Sequence, residues 1–163
     1  MATEHSGHDR MSPQMMRHHY LMLGSNLLVS AVIMYFVMFT MIWSPDEFFN
    51  NLNMFYMALM MATPMGILML LVMGSMYRNR RWNMVLYGAF AVVFILSFYA
   101  MRHQSLIGDR QFLRSMIPHH SGAVLMCRRA SIENQEIREL CANIIASQTR
   151  EIKQMERILA NHG

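Results

Sequence analysis

Residues 20–43, YLMLGSNLLVSAVIMYFVMFTMIW, contain no charged side chain and are long enough to cross the hydrocarbon core of a bilayer. Two further uncharged runs follow, at residues 48–77 and 82–101. Trp43, Tyr77 and Trp82 stand at the ends of these runs, where interfacial aromatic belts form. The sequence therefore predicts a membrane domain of residues 20–101 with three spanning helices, at about 20–43, 52–77 and 82–101.

The composition is that of a small membrane protein rather than of a soluble or disordered chain. Of the 163 residues, 54% are hydrophobic and only 15% are charged, whereas about 25% are charged in a typical soluble domain. The net charge of +4 is sparsely distributed, so we expect no nucleic-acid surface. The 21 methionines and 8 histidines are the main chemical indication, because thioether and imidazole groups are ligands for soft metals.

The distribution of arginine predicts the orientation of the chain in the membrane. Two arginines precede the first span and three lie between the second and third spans. The charged residues between the first and second spans are both acidic. The positive-inside rule then places the amino terminus in the cytoplasm. Three spans put the carboxyl-terminal part outside, which for a bacterial inner-membrane protein means the periplasm or the cell surface.

Residues 108–163 are amphipathic and predict two antiparallel helices. The predicted apolar stripe of the first helix recurs at steps of three and four and comprises Phe112, Met116, His119, Ala123, Met126 and Ala130. Asp109 and Asn134 suit helix amino-terminal caps, and Gly108 suits the end of the preceding helix. A lone hairpin has nothing to cover its apolar face, so we expect it to complete a bundle by self-association into a homo-oligomer.

The register of this hairpin brings its two cysteines opposite each other. If the turn is centred near residue 134, Cys127 faces Cys141 and His120 faces Gln148. In an oxidising compartment the two cysteines are able to form a disulfide that locks the hairpin, the interpretation that we favour for the predicted topology. Thiolate ligation of a soft metal and simple burial as small hydrophobic residues are the alternatives.

The same register gathers soft donors at one level of the hairpin, namely Met116, His119, His120, Gln148 and Met155. Imidazole and thioether groups with almost no carboxylate favour Cu(I), or its analogue Ag(I), over hard cations. The alternative is that the methionines fill an ordinary core beside a half-buried histidine pair. We do not expect an enzyme, because no nucleophile–base pair, phosphate loop or carboxylate pair accompanies the histidines.

Residues 108–159 closely resemble the domain-of-unknown-function family numbered 305. The family pattern is D-x-x-F-x-x-x-M-x-x-H-H-x-x-A-x-x-M on one helix and Q-x-x-E-I-x-x-M on the next. Its positions in this sequence are Asp109, Phe112, Met116, His119, His120, Ala123, Met126, Gln148, Glu151, Ile152 and Met155. The three preceding spans resemble the membrane-anchored branch of the family. The resemblance implies an all-α chain with a ferritin-like hairpin and a part in copper handling or resistance. The metal ligands that it implies are Met116, His119, His120, Met126 and Met155.

A ladder of methionines follows one face of the second predicted span. Between Met54 and Met76 it includes Met57, Met61, Met65, Met69 and Met73. Such a ladder is able to pass Cu(I) across the membrane. Flexible methionine also packs well against neighbouring helices, and packing is the interpretation that we favour.

The amino-terminal arm, residues 1–19, is rich in histidine and methionine. A second histidine pair near its end is flanked by methionines one turn away, which gives a candidate site of Met15, His18, His19 and Met22. This group is either a cytoplasmic metal-loading site or an incidental cluster at the membrane surface.

Three functions therefore stand as hypotheses. The first is a membrane-anchored protein that binds Cu(I) or Ag(I) in copper handling or resistance. The second is a copper transporter or relay, similar to eukaryotic copper transporters in its three spans and methionine-rich second span. The third is an accessory subunit without a metal site of its own. The expected partners are the metal ion, the lipid bilayer and a second copy of the chain.

Overall fold

The described part of the chain is entirely helical. The computed structural model describes residues 13–161 and contains no β-strand within that range. Its helices are α1 (Pro13–Val37), α2 (Leu52–Val72), α3 (Arg80–Arg102), α4 (Asp109–Arg129) and α5 (Gln135–Asn161). Two short 3-10 helices, Met38–Met41 and Pro45–Glu47, lie between α1 and α2. The prediction of an all-α chain is confirmed.

Within residues 13–161, three segments are long and apolar enough to cross a membrane: Gln14–Met41, Leu52–Val72 and Arg80–Arg102. The helices differ from the predicted spans at two places. The first helix already includes residues 13–19, which precede the predicted span. The second helix ends at Val72 rather than at residue 77, where Gly74 and Ser75 disfavour a further helical turn.

In the membrane domain, α2 packs against both α1 and α3. The buried face of α2 is formed largely by small residues, among them Ala58, Ala62 and Gly66. A Cβ atom at Gly66 would lie 2.8 Å from the Phe90 ring and 3.0 Å from Leu27. Glycine therefore allows α1 and α3 to approach α2 closely, as small residues do between membrane helices.

The hairpin of α4 and α5 packs against the connection between α1 and α2, which we call the docking loop (residues 38–51). Ile117, Ile152 and Met155 form a buried cluster, the hairpin core, and Phe49 of the docking loop packs against it. This corrects the expectation that nothing within the chain covers the apolar face of the hairpin. Self-association is not needed to cover this part of the hairpin.

The buried face of α4 also differs from the predicted apolar stripe. Ile117, Ser121 and Val124 are at most 2% exposed, whereas Phe112 and Met126 are 49% and 54% exposed. The docking loop approaches the side of α4 that carries Ser121 and its neighbour Gly122. Because neither residue is apolar, the hydrophobic periodicity does not identify this side as buried.

The Ser121 hydroxyl joins the hairpin to the docking loop. Its oxygen accepts a hydrogen bond from the backbone N–H of Trp43, and the hydroxyl donates to a carboxylate oxygen of Glu47. The same Glu47 oxygen accepts from the backbone N–H of Ser44 at 3.1 Å. On the other side, the Arg128 guanidinium lies 4.6 Å from the centroid of the Trp43 ring, a cation–π contact.

Two further hydrogen bonds connect the start of α2 with the hairpin side of the molecule. The backbone N–H of Leu52 donates to Gln111 Oε1 on α4 at 3.2 Å. The Tyr56 hydroxyl donates to the carbonyl of Ser105, in the linker between α3 and α4, at 2.9 Å. The hairpin and the linker before it are therefore held both by the docking loop and by the start of α2.

The ends of the hairpin helices agree in part with the sequence. Asn134 caps α5, since its Oδ1 accepts from the backbone N–H of Ile137 at 3.2 Å. Asp109 is not a cap but the first residue of α4, and Gly108 occupies the cap position. Gly108 does not end α3 either, because that helix stops at Arg102.

Replacing Ser121 with alanine is expected to loosen the hairpin from the docking loop. The change leaves the backbone N–H of Trp43 without its acceptor and removes a donor from Glu47, a cost of about 1–3 kcal/mol. We expect a lower midpoint of thermal unfolding in detergent and faster hydrogen exchange in the docking loop. Ser115→Ala is the matched control, because Ser115 bonds a carbonyl of its own helix. Equal effects of the two substitutions would refute this role of Ser121.

Candidate metal site

His120 lies largely buried between the two helices of the hairpin. Its side chain is 12% exposed, and its Nδ1 atom lies 3.0 Å from Glu151 Oε2 on α5. The distance is that of an ion pair, but the geometry is not that of a hydrogen bond, so Nδ1 has no hydrogen-bond partner among residues 13–161. The register had placed Gln148 opposite His120. Glu151 is one turn further along the same face of α5 and is not among the predicted ligands.

Burial also sets the protonation state of this histidine. Loss of solvation is the largest cause that lowers the pKa of His120 from its ordinary value. Glu151 opposes this shift, and the neighbouring His119 adds to it. The His120 imidazole is therefore neutral at pH 7, which is the form that binds a metal ion.

Two thioethers lie one helical turn from His120 and Glu151 in the sequence. Met116 precedes His120 by one turn on α4, and Met155 follows Glu151 by one turn on α5. Met155 is 8% exposed and belongs to the hairpin core, against which Met116 packs. The structure thus places Met116, His120 and Met155 along the inner side of the hairpin.

The other two predicted ligands lie on the outside of α4. His119 is exposed, and its ring centroid is 5.9 Å from that of His120. Consecutive residues of an α-helix point about 100° apart, so His119 and His120 do not share the space between α4 and α5. Met126 is 54% exposed and lies nearer the tip of the hairpin.

Within residues 13–161, no group of three or more His, Cys, Asp or Glu side chains is arranged to hold a metal ion. Groups of this kind are the usual ligand sets of zinc and iron. A metal site at His120 depends on the thioethers of Met116 and Met155, which are soft donors.

Cys127 and Cys141 form a disulfide across the hairpin, with their Cα atoms 5.2 Å apart. This distance lies within the range that a disulfide requires. The bridge closes a loop with a sequence separation of 14 residues near the tip of the hairpin. Neither sulfur is then a thiolate, so neither is a metal ligand in this state of the protein.

The amino-terminal candidates are spread over the first turns of α1, and residues 1–12 of the arm lie outside the described residues. Met15, His18 and Met22 are exposed. His19 is half-buried, and its Nδ1 lies 3.4 Å from the carbonyl oxygen of Met76, in the segment that follows α2. The two histidines of this pair therefore have different surroundings.

The methionine ladder runs beside the buried face of α2 rather than along it. Met57, Met61 and Met73 are 40%, 42% and 36% exposed, while Met65 and Met69 are half-buried. Met69 Sδ lies 3.8 Å from the side-chain amide nitrogen of Asn26 on α1. Part of the ladder thus contributes to packing within the chain, and the rest lies on the outer surface of the membrane domain.

Comparisons with known proteins match both parts of the chain. The family model described as "Domain of unknown function (DUF305)" matches residues 100–159, which contain α4 and most of α5. An uncharacterized protein of Acanthamoeba polyphaga mimivirus is 34% identical over 111 residues, which cover 67% of this chain and 71% of the viral protein. The aligned stretch of 111 residues is longer than the segment from residue 100 to the end of the chain, so the similarity to the viral protein extends into the membrane domain. No solved structure matches the chain significantly.

Replacing both Cys127 and Cys141 with serine is expected to destabilise the hairpin. A disulfide that closes a loop of this length contributes about 3 kcal/mol. We expect a lower midpoint of thermal unfolding and faster proteolysis at residues 130–134. Dithiothreitol should reproduce the effect in the unmodified protein and have no effect on the variant. Alkylation of both cysteines in unfolded protein that was isolated without reductant would contradict the disulfide.

Proposed function

The chain belongs to the family of domains of unknown function numbered 305, and from this premise we propose that it is a membrane-anchored protein that binds Cu(I) in copper handling or resistance. Ag(I) is the expected analogue. The proposal is carried by His120, whose largely buried and neutral imidazole has no hydrogen bond at Nδ1 and follows Met116 by one helical turn. A buried polar atom without a partner is uncommon and calls for a functional explanation.

The donors of the proposed site select a soft ion. Met116 and Met155 offer thioether sulfur, and His120 offers a neutral imidazole nitrogen, all of which suit Cu(I). Glu151 supplies the one carboxylate in contact with His120, so hard cations find few oxygen ligands here. We assign Met116, His120 and Met155 as the inner ligands. His119 and Met126 are exposed, and we propose that they receive the ion at the surface.

Two independent features favour a hairpin outside the cytoplasm of a bacterium, with the amino terminus inside. Arg17 precedes the apolar part of α1, Arg78 precedes α3, and Arg80 and Arg81 begin α3, whereas the docking loop has no Lys or Arg. The positive-inside rule assigns the arginine-rich side to the cytoplasm. A structural disulfide in the hairpin favours an oxidising compartment on the opposite side of the inner membrane.

We also propose that a second copy covers the rest of the hairpin. Large apolar side chains remain 48–57% exposed on α4 and α5, namely Phe112, Ile137 and Leu140. Two hairpins that bury these residues against each other would form a four-helix bundle.

A metal relay is the second candidate function, and one contact favours it. His19 Nδ1 lies 3.4 Å from the backbone carbonyl oxygen of Met76, which follows α2 at the end of the methionine ladder. The amino-terminal group and the ladder are therefore adjacent at this point. Three helices do not enclose a pathway, so a relay would need an oligomer. An accessory subunit without a metal site is the third candidate, and a stable co-purifying partner together with an absence of metal uptake would favour it.

Anaerobic Cu(I) competition titration of the full chain in detergent tests the binding proposal. His120→Ala is expected to weaken Cu(I) binding by more than about tenfold, since loss of an outer-shell partner alone costs about 10–100-fold in metal affinity. Replacing Met116 and Met155 with leucine, which keeps the packing volume, is expected to weaken it as well. His103→Ala is the matched control, because His103 stacks on Tyr99 at the end of α3, with ring centroids 4.1 Å apart. Unchanged binding in His120→Ala, or no binding by the unmodified protein, would overturn the proposal.

Flux of Cu(I) into proteoliposomes separates binding from relay. The variant to compare replaces four ladder residues with leucine: Met61, Met65, Met69 and Met73. For a binding protein, we expect neither the titration nor the flux to change, because the site at His120 is intact. Loss of flux with unchanged binding would instead establish the relay.

A further inference from the structure

A groove of about 870 Å³ runs along the membrane domain between α1 and α3. Leu59, Ala62 and Thr63 of α2 form part of its lining. The walls are apolar and include Leu27 and Ala31 of α1 with Leu86, Phe90 and Val93 of α3. Since α2 packs against both neighbours, the groove is a cleft between the two outer helices that opens to the membrane.

One end of the groove is polar and positively charged. Arg17, Tyr20, Asn79 and Trp82 line this end. The Tyr20 hydroxyl donates a hydrogen bond to Asn83 Oδ1 at 2.6 Å, which fixes the ring at the entrance. Tryptophan at this position is typical of the interface between lipid head groups and hydrocarbon.

Among the described residues, the membrane domain contributes no acidic side chain to this end. Arg17 is exposed, and Arg80 and Arg81 begin α3 beside Asn79. Residues 13–45 and 48–108 contain no Asp or Glu. An anion at this entrance would therefore meet the Arg17 guanidinium and no carboxylate from the membrane domain.

The length of the groove matches one leaflet of a bilayer. Its lining on α1 extends from Met16 to Ala31, which is about 22 Å along the helix axis. Half of a bilayer with its head groups is also about 20–22 Å thick. A transmembrane helix of another protein would need a groove across the whole membrane, so the dimensions favour a lipid over a helix.

We propose that this groove is a binding site for an anionic phospholipid, with one acyl chain between α1 and α3 and the phosphate group at Arg17. The apolar walls suit the acyl chain, and the arginines suit a phosphate group. The site is separate from the hairpin, and the inference does not depend on copper binding.

Two glycines allow a matched test of the acyl-chain site by native mass spectrometry. Gly24 lines the groove, and a Cβ atom there would meet no other atom within 4 Å, so Gly24→Leu fills the groove without a clash at that atom. Gly88→Leu is the control, because a Cβ atom at Gly88 is equally free and this exposed residue of α3 does not line the groove. Phosphatidylglycerol added to the full chain in detergent should stay bound to the unmodified protein and to Gly88→Leu. Gly24→Leu should lose it.

A second pair of variants tests the head-group site. Arg17→Gln is expected to remove the preference for phosphatidylglycerol over phosphatidylcholine with the same acyl chains. Arg102→Gln, at the other end of α3, should keep that preference. Circular dichroism and the midpoint of thermal unfolding check that each variant is folded.

Three results would overturn the proposal. One is retention of phosphatidylglycerol by Gly24→Leu at the level of the unmodified protein. Another is an unchanged lipid preference in Arg17→Gln. The third is a dimer that binds no lipid and dissociates in Gly24→Leu, which would assign the groove to a second copy of the chain.

Discussion

The hydrogen bonds of the Glu47 carboxylate hold the hairpin against the docking loop, and the arrangement of the hairpin on the membrane domain depends on them. The carboxylate accepts hydrogen bonds from the Ser121 hydroxyl and from a backbone N–H of the docking loop. A carboxylate at an interface is favourable only when such donors satisfy it. Because the contact fixes Ser121 toward the docking loop, it also fixes the rotation of α4. His120 then points between α4 and α5, and His119 points outward, as the spacing of about 100° per residue requires.

Features that depend on neighbouring residues could be predicted from the sequence. Uncharged runs identify the three spanning helices, because each helix satisfies its own backbone hydrogen bonds within the membrane. Asn134 caps α5 through a bond to the third residue after it. The pairing of Cys127 with Cys141 follows from the hairpin register alone, since the turn between α4 and α5 is short.

Features that depend on distant residues could not be predicted in this way. Glu47 and Ser121 are 74 positions apart, and neither belongs to an apolar pattern. The backbone of Met41 approaches Gly122 closely, since a Cβ atom at Gly122 would lie 3.4 Å from the Met41 carbonyl oxygen. A close backbone approach of this kind leaves no hydrophobic pattern in the sequence. For this reason the periodicity assigned the wrong face of α4 to the core and did not distinguish His119 from His120.

The sequence left two interpretations of the hairpin methionines, as metal ligands or as ordinary core residues, and the geometry of the hairpin is compatible with both. Met155 belongs to the hairpin core and Met116 packs against it, so both contribute to the stability of the metal-free protein. A thioether that packs in a core keeps its sulfur lone pairs, and its flexible side chain turns toward a nearby ion with little loss of packing. His120 lacks this freedom, because α4 is held by Ser121 and the imidazole is enclosed beside Glu151. The fixed histidine therefore determines where an ion would bind, and the methionines adjust to it.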